Sequence, residues 1–223
     1  WPLSQRSTFP LIKKGGVDVV LSTCYVPEKE WVDDQGLVKL ALKFAPKTKK
    51  RVFDQFYFDA TVAMMDSIES EIDKYNDTFV GGPDDGAFIK LVKNKNELID
   101  CLADNDIAII HSIEGAHSLE GIDCESSDND NSVVESEVLQ HLDYFAERGV
   151  AYLTLAHFYP NKVAPPVFPY PTYGIKRSNW KKLMAGWDMN KGLTALGAKV
   201  VQRMIDLGML IDIAHCTPKA RKE

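Results

Sequence analysis

Three residues that can bind a metal or transfer a proton each follow an apolar run of the sequence. They are Glu114, His157 and His215. In parallel sheets and α/β barrels, functional groups lie at the carboxyl ends of the strands, where the loops meet on one face. The spacing between consecutive members fits about one strand–helix unit plus loop insertions, so we expect the three side chains to converge. A carboxylate with two imidazoles favours metal binding first and general acid–base chemistry second.

Four other polar residues near these positions have simpler interpretations. His111 lies inside the run that ends at Glu114, so we expect a structural role for it, facing either a barrel interior or a helix. His117 is a candidate for supporting a ligand, and His141 is expected to face solvent from a helix. Asp212 lies inside an apolar run, where we expect a buried, hydrogen-bonded carboxylate.

Two histidine-ending segments repeat one pattern, in which a helix is followed by a glycine and then a short β-rich run. In the first, Gly149 is placed for a left-handed helix end, and residues 150–156 form a strand before His157. In the second, Thr194 is placed to cap a helix that Gly208 ends. Residues 209–214 then form a strand before His215.

Other apolar runs complete the predicted fold. Strands are expected at 17–23, 88–92 and 107–113, a short helix at 97–102, and a turn at 81–86. Near-continuous apolar strands alternating with helices predict an α/β fold with a parallel sheet covered on both faces. A long helix before the turn carries a core-facing stripe of Phe53, Phe56, Tyr57, Ala60, Met64, Ile68 and Ile72.

We expect residues 1–223 to form a single partial α/β-barrel domain with two irregular segments. The acidic stretch near 123–133 is predicted to be a surface insertion. The proline-rich stretch at 158–173 cannot be a helix or a central strand, because proline lacks a backbone N–H and fixes φ. It is therefore predicted to be an extended loop, long enough to cover a site.

Composition excludes several classes of protein. The 223 residues are 45% hydrophobic and 26% charged, which argues against disorder, and the net charge of −6 argues against a nucleic-acid partner. No apolar run approaches the roughly 20 residues that span a bilayer, so we expect a soluble protein without a transmembrane segment here. Four scattered cysteines without a Cys-x-x-Cys pair argue against a structural zinc site and leave the compartment open. The sequence also does not determine whether the protein forms a homo-oligomer.

Four segments together resemble the membrane dipeptidase (renal dipeptidase) family of binuclear zinc peptidases. They are Ile113-Glu114-Gly115-Ala116-His117-Ser118, the segment 149–157, Gly192-Leu193-Thr194 and the segment 207–215. Gly15-Gly16-Val17, followed by Tyr25-Val26-Pro27, is similar to that family's second strand. The segments occur in order through most of the chain.

This resemblance implies a TIM-like (β/α)8 barrel, of which about half, roughly strands two to five, is present. It also implies two Zn²⁺ ions bridged by a carboxylate and by a hydroxide that attacks the peptide carbonyl. Glu114 matches the bridging ligand, and His215 matches the first of two zinc-binding histidines. His157 matches the histidine that contacts the substrate and the tetrahedral intermediate. Two cations sharing one water lower the pKa of that water into the neutral range.

The sequence also departs from the family pattern. No Asp-x-His pair precedes Gly15, and the family's second zinc-binding histidine and late aspartate would follow His215. The family's Gly-Gly is Gly115-Ala116 here, and its Ala-Asp after Asn161 is Ala164-Pro165. We therefore expect an internal piece of a barrel that alone is inactive, holds no zinc tightly and is either poorly stable or associates through its exposed sheet edges.

The leading functional hypothesis is a metal-dependent dipeptidase acting on small dipeptide-like substrates. The alternative is another hydrolase of the amidohydrolase type, acting on a lactone, a cyclic amide or an N-acyl amino acid. A metal-free barrel that binds a ligand or partner is the non-enzyme alternative. A glycosidase that uses Glu114 and Asp212 is weaker, because it leaves both histidines without roles.

Overall fold

A computed structural model describes residues 8–30, 36–78, 87–125, 130–168 and 187–223. Its helices are α1 (Phe9–Lys14), α2 (Gly36–Lys43), α3 (Pro46–Val52), α4 (Tyr57–Thr78), α5 (Lys95–Ala103), α6 (Ile122–Glu125), α7 (Asn131–Glu147) and α8 (Ala195–Leu207). Its strands are β1 (Val19–Cys24), β2 (Ile89–Leu91), β3 (Ile107–Glu114), β4 (Tyr152–Thr154) and β5 (Leu210–Asp212). A 3₁₀ turn at Ala116–Leu119 follows β3.

The strands form one parallel sheet in the order β1-β3-β4-β5, with β2 beside the start of β3. Glu114 is in register with Thr154 of β4, and Thr154 is in register with Asp212 of β5. Side chains in register on parallel strands share a face, so Glu114 lies on the same face as Asp212. The predicted parallel α/β sheet is confirmed, although β4 and β5 are shorter than the runs 150–156 and 209–214.

Capping residues and glycines determine where the helices end in the two helix–strand units that lead to His157 and His215. The Thr194 side chain accepts a hydrogen bond from the N–H of Gly197, which caps α8 as predicted. Gly208 ends this helix at a φ of +71°, and Gly149 follows α7 at +83°. Because such φ values are strained for side chains with a Cβ, glycine makes these sharp helix ends possible.

The main core lies on one face of the sheet. The outward side chains of β3 and β4 join buried residues of α4, α7 and α8 in the main core, including Ile113, Leu153, Met65, Phe145 and Met204. The structure corrects the core-facing stripe predicted for α4 in two respects. Phe53 and Phe56 precede the helix, and Met65 is fully buried whereas Met64 is only partly buried.

The opposite face of the sheet is covered near the start of β3, where buried Ala108 packs in a cluster with Cys101 of α5, and it is exposed at the edge strands, so the predicted cover on both faces is found only in part. Val19, Leu21 and Leu210 are 39%, 52% and 67% exposed. In a closed barrel this face is the interior, which side chains from other strands fill. Within the described residues, the edge positions of this face are left uncovered.

The two irregular segments are described only in part. Near the acidic stretch, the buried Cys124 lies in α6, and the Glu137 carboxylate of α7 accepts hydrogen bonds from the backbone N–H groups of Gly121, Asp123 and Cys124. Residues 126–129, 169–173 and the predicted turn 81–86 lie outside the described residues. No helix within the described ranges is both long and apolar enough to cross a bilayer.

Candidate metal centre

Glu114, His157 and His215 come together at the carboxyl ends of β3, β4 and β5. The Nε2 atom of His157 lies 3.4 Å from Oε1 of Glu114, and Nε2 of His215 lies 3.6 Å from the same oxygen. The two imidazole centroids are 4.8 Å apart. One ligand atom from each residue lies within 4.8 Å of the other two, so the three side chains could surround one cation.

Gly115 lets the chain turn sharply behind Glu114. Its φ is +96°, and a Cβ at this position would overlap the ring of His117. The His117 ring is buried and its Nε2 donates a hydrogen bond to the Val26 carbonyl at 2.7 Å. Only glycine fits both the backbone angle and this close approach, which allows Glu114 to face the site while His117 packs beneath it.

His215 has a left-handed backbone conformation, with a φ of +62°. This conformation costs a residue with a Cβ about 1–2 kcal/mol, so the surrounding structure must hold it. The His215 carbonyl accepts a hydrogen bond from the N–H of Val167 at 2.7 Å, and Cys216 pairs with Pro166. The segment after β4 thus fixes the strained histidine, and such strain is often found at functional sites.

The ring of His157 is buried and fixed on three sides. It packs between Tyr25, at a centroid distance of 4.5 Å, and Phe158, at 4.0 Å. Its Nδ1 lies 3.0 Å from Oε1 of Glu28. With Nδ1 donating to this carboxylate, Nε2 faces Glu114, where it accepts a hydrogen bond when the ring is neutral and donates one when the ring is protonated.

Glu28 is a residue of the site that the sequence did not single out. Glu28 is buried, with 2% of its surface exposed. Burial alone raises the pKa of Glu28, but hydrogen bonds from His157 and Tyr25, together with nearby His117, lower it to about 2. The sequence does contain a signal for Glu28. This residue follows β1 at the same edge of the sheet as the three predicted residues, so strand-end placement could have identified it. The family-like segment ends one residue earlier, at Pro27.

The donor set fits a metal of the zinc type. A carboxylate oxygen and imidazole nitrogens are ligands that Zn²⁺ takes readily, and the Glu114 and His215 side chains are each about one-third exposed. A ligand group therefore remains accessible on the open side of the site.

Comparison with known proteins identifies the family. A family model described as membrane dipeptidase (peptidase family M19) matches residues 4–223. The chain belongs to the M19 family. This finding agrees with the resemblance seen in the sequence.

Solved structures share the fold of this M19 chain. A metallopeptidase from Rhodobacter sphaeroides, liganded with a phosphinate mimic of the dipeptide L-Ala-D-Ala, matches with a TM-score of 0.62 and 16% identity over 99% of this chain and 52% of its own. An amidohydrolase from Pseudomonas aeruginosa matches with a TM-score of 0.56 and 14% identity over 95% of this chain and 42% of its own. The M19 chain thus spans about half the length of these proteins, as expected for a partial barrel. No curated protein sequence matches it.

The other candidate residues of the M19 chain have structural partners. His111 faces outward, with Nε2 3.2 Å from Oε1 of Glu69 on α4, so of the two predicted positions it takes the one facing a helix. Asp212 accepts hydrogen bonds from the Thr154 hydroxyl and the Ala214 N–H, but it is half-buried rather than buried.

The prediction that His141 faces solvent is wrong. Its Nδ1 donates to the Leu119 carbonyl at 2.8 Å, and its ring stacks on Phe58 at a centroid distance of 3.5 Å. The physical reason is the 3₁₀ turn after β3, which presents a carbonyl toward α7 that needs a donor. Helical periodicity alone does not show such a partner.

Proposed function

We propose that the whole protein is a metal-dependent dipeptidase that hydrolyses the peptide bond of dipeptides. Membership of the M19 family supports this proposal, and the observation that carries it is the convergence of Glu114, His157 and His215 at three adjacent strand ends. The bound phosphinate mimic in the Rhodobacter metallopeptidase is a dipeptide mimic, which supports the substrate class. The residues assigned here fill only part of the ligand set that two ions need.

Two of the three side chains are proposed to hold zinc. Glu114 would supply a carboxylate ligand shared by the metal ions, and His215 would supply an imidazole nitrogen. The bound metal supplies a water of lowered pKa and polarises the carbonyl of the scissile bond. The fixed left-handed backbone of His215 helps to hold its ring near Glu114. A ligand that is already held in place loses less conformational entropy when the metal binds.

His157 is proposed to contact the substrate rather than the metal. From a protonated ring, Nε2 donates to the carbonyl oxygen of the scissile bond as negative charge develops on it. The ring is buried against Tyr25 and Phe158, which excludes water from one side of this hydrogen bond. Phe158 also contacts the His215 ring, at a centroid distance of 5.6 Å, so the loop that begins there is proposed to cover the substrate.

A second candidate activity is hydrolysis of another acyl substrate, such as a lactone, a cyclic amide or an N-acyl amino acid. The similarity in fold to the Pseudomonas amidohydrolase is the observation that supports this second activity. A metal held by Glu114 and His215 would polarise the carbonyl of any acyl substrate, and this polarisation does not depend on the leaving group. Family membership favours the dipeptidase.

The test is a substrate panel on the purified whole protein with zinc. We expect hydrolysis of L,L- or L,D-dipeptides, loss of that activity with a chelator and recovery with added zinc. Lactones, cyclic amides and N-acyl amino acids are assayed in parallel. Faster turnover of one of these would replace the dipeptidase by the second candidate, and no turnover by zinc-loaded protein would favour a binding protein.

A further inference from the structure

We propose that Glu28 is a positioning residue for His157. Its buried carboxylate accepts the hydrogen bond from Nδ1, which fixes the edge of the imidazole that faces the site, so that Nε2 points to the substrate and donates to it when the ring is protonated. The inference rests on the substrate-contacting role proposed for His157. It adds a residue on the loop after β1 to a site otherwise built from the ends of β3, β4 and β5.

Both oxygens of Glu28 are used as hydrogen-bond acceptors. Oε1 accepts from Nδ1 of His157 at 3.0 Å and from the backbone N–H groups of Phe158 and Tyr159 at 2.9 and 3.4 Å. Oε2 accepts from the Tyr25 hydroxyl at 2.7 Å. Because the Tyr25 hydroxyl and both backbone N–H groups are donors to the carboxylate, and the pKa of Glu28 is lowered to about 2, Glu28 is ionised and the hydrogen between it and His157 belongs to Nδ1.

Aromatic packing cannot do this positioning alone. Tyr25 and Phe158 limit the plane of the His157 ring, but a half-turn about the Cβ–Cγ bond exchanges Nδ1 with a carbon and preserves that plane. Only a hydrogen-bond partner distinguishes the two orientations and the two tautomers. Glu28 is the partner that the structure provides on the side away from Glu114.

A purely structural role is the competing explanation, because Glu28 also binds the backbone of the loop after His157. The chain offers a matched control for this role. The half-buried carboxylate of Glu120 binds the same loop, accepting from the backbone N–H of Lys162 at 3.0 Å, and this hydrogen bond involves no imidazole. Burial raises the pKa of Glu120 to about 7, so Glu120→Gln tests a change at a loop anchor rather than the loss of a full charge.

The first experiment is a double-mutant cycle on kcat in the zinc-loaded whole protein. We expect Glu28→Ala to lower kcat about 10²-fold, close to His157→Ala, with KM and bound zinc little changed. In the His157→Ala background, Glu28→Ala should change kcat less than about 2-fold, because the residue it acts through is gone. Glu120→Gln should stay within about 3-fold of the parent.

Glu28→Gln is the control for misfolding of Glu28→Ala, because it keeps the size of the side chain and one acceptor oxygen. We expect it to retain about ten times the kcat of Glu28→Ala, and its remaining defect should also vanish in the His157→Ala background. An equal loss in both backgrounds, for either variant, would overturn the proposal and leave a structural role.

A second readout does not depend on activity. In the metal-free whole protein, ¹⁵N–¹H spectra of labelled histidine should show the hydrogen of neutral His157 on Nδ1, and Glu28→Ala should move it to Nε2 in a large fraction of molecules. An unchanged tautomer would overturn the proposal. If His157→Ala itself keeps parental kcat, the transition-state contact proposed for His157 fails instead. If His157→Ala is impaired and the Glu28 variants are not, only this inference fails.

Discussion

Two clusters of histidine and glutamate lie on opposite faces of the same strand. The strand-end site places Glu114 near His157 and His215, with nitrogen–oxygen distances of 3.4 and 3.6 Å. The outer cluster, which we define as His111, Glu69, Arg148 and Asp66, lies between β3 and the helices, with His111 Nε2 3.2 Å from Glu69. The residue types are similar, but the surroundings differ.

The difference lies in which cation balances the carboxylates. In the outer cluster Arg148 pairs with both Glu69 and Asp66, and it also donates to the Tyr144 hydroxyl. At the strand-end site, the ion-pair partners that the structure gives Glu114 are imidazoles. A carboxylate already paired with a guanidinium has a permanent partner, whereas one paired only with imidazoles can take a metal ion. Mutations should therefore remove function at one cluster and stability at the other.

The largest expected effect is that of Glu114→Gln in the whole protein. An amide is a poor bridging ligand for two zinc ions, so we expect dipeptide hydrolysis to fall at least about 10³-fold together with loss of bound zinc. The matched control is Glu69→Gln in the outer cluster, which makes the same chemical change and should keep both. Retention of zinc and activity by Glu114→Gln would remove the distinction between the clusters.

The next effect is that of His157→Ala on turnover. Loss of the hydrogen bond to the developing oxyanion should lower kcat about 10²-fold, with a smaller change in KM, because the contact strengthens in the transition state. Steady-state kinetics on one dipeptide measure both constants. A rise in KM with unchanged kcat would instead mean that His157 only holds the substrate.

Arg148→Met should act on stability and leave the site intact. The variant leaves Glu69 and Asp66 without their cation, and because both carboxylates are partly exposed we expect a loss of only about 1–2 kcal/mol of unfolding free energy. Urea denaturation measures this loss, and zinc content serves as the control. Loss of zinc without loss of stability would show that the two clusters are coupled.

The smallest effect is a pH dependence of stability from His111. Burial lowers the pKa of His111 from its ordinary value of 6.5, although Glu69 acts in the opposite direction. The unfolded chain therefore takes up a proton near pH 6.5 and the folded chain only at lower pH, so this contribution to stability is lost as the pH falls through that window. Urea denaturation from pH 7.5 to 5.5 should show a steeper decline for the parent than for His111→Gln. Equal slopes would contradict this.

The sequence predicted what local patterns determine. The caps at Thr194 and Gly208, the parallel sheet and the meeting of Glu114 with His157 and His215 follow from hydrophobic periodicity and strand-end placement. The partners of Glu28 and His141 could not be predicted this way. Each depends on a contact with a distant loop or turn, to Phe158 and Leu119 respectively, which no local spacing encodes.

The most direct test of the central claim is the zinc content of two single variants of the whole protein, His215→Ala and His157→Ala, prepared together and dialysed against the same free zinc concentration. The account predicts that His215→Ala loses zinc while His157→Ala keeps the parental amount, because only the first histidine is a ligand. Loss of zinc from His157→Ala, or full retention by His215→Ala, would contradict the assignment.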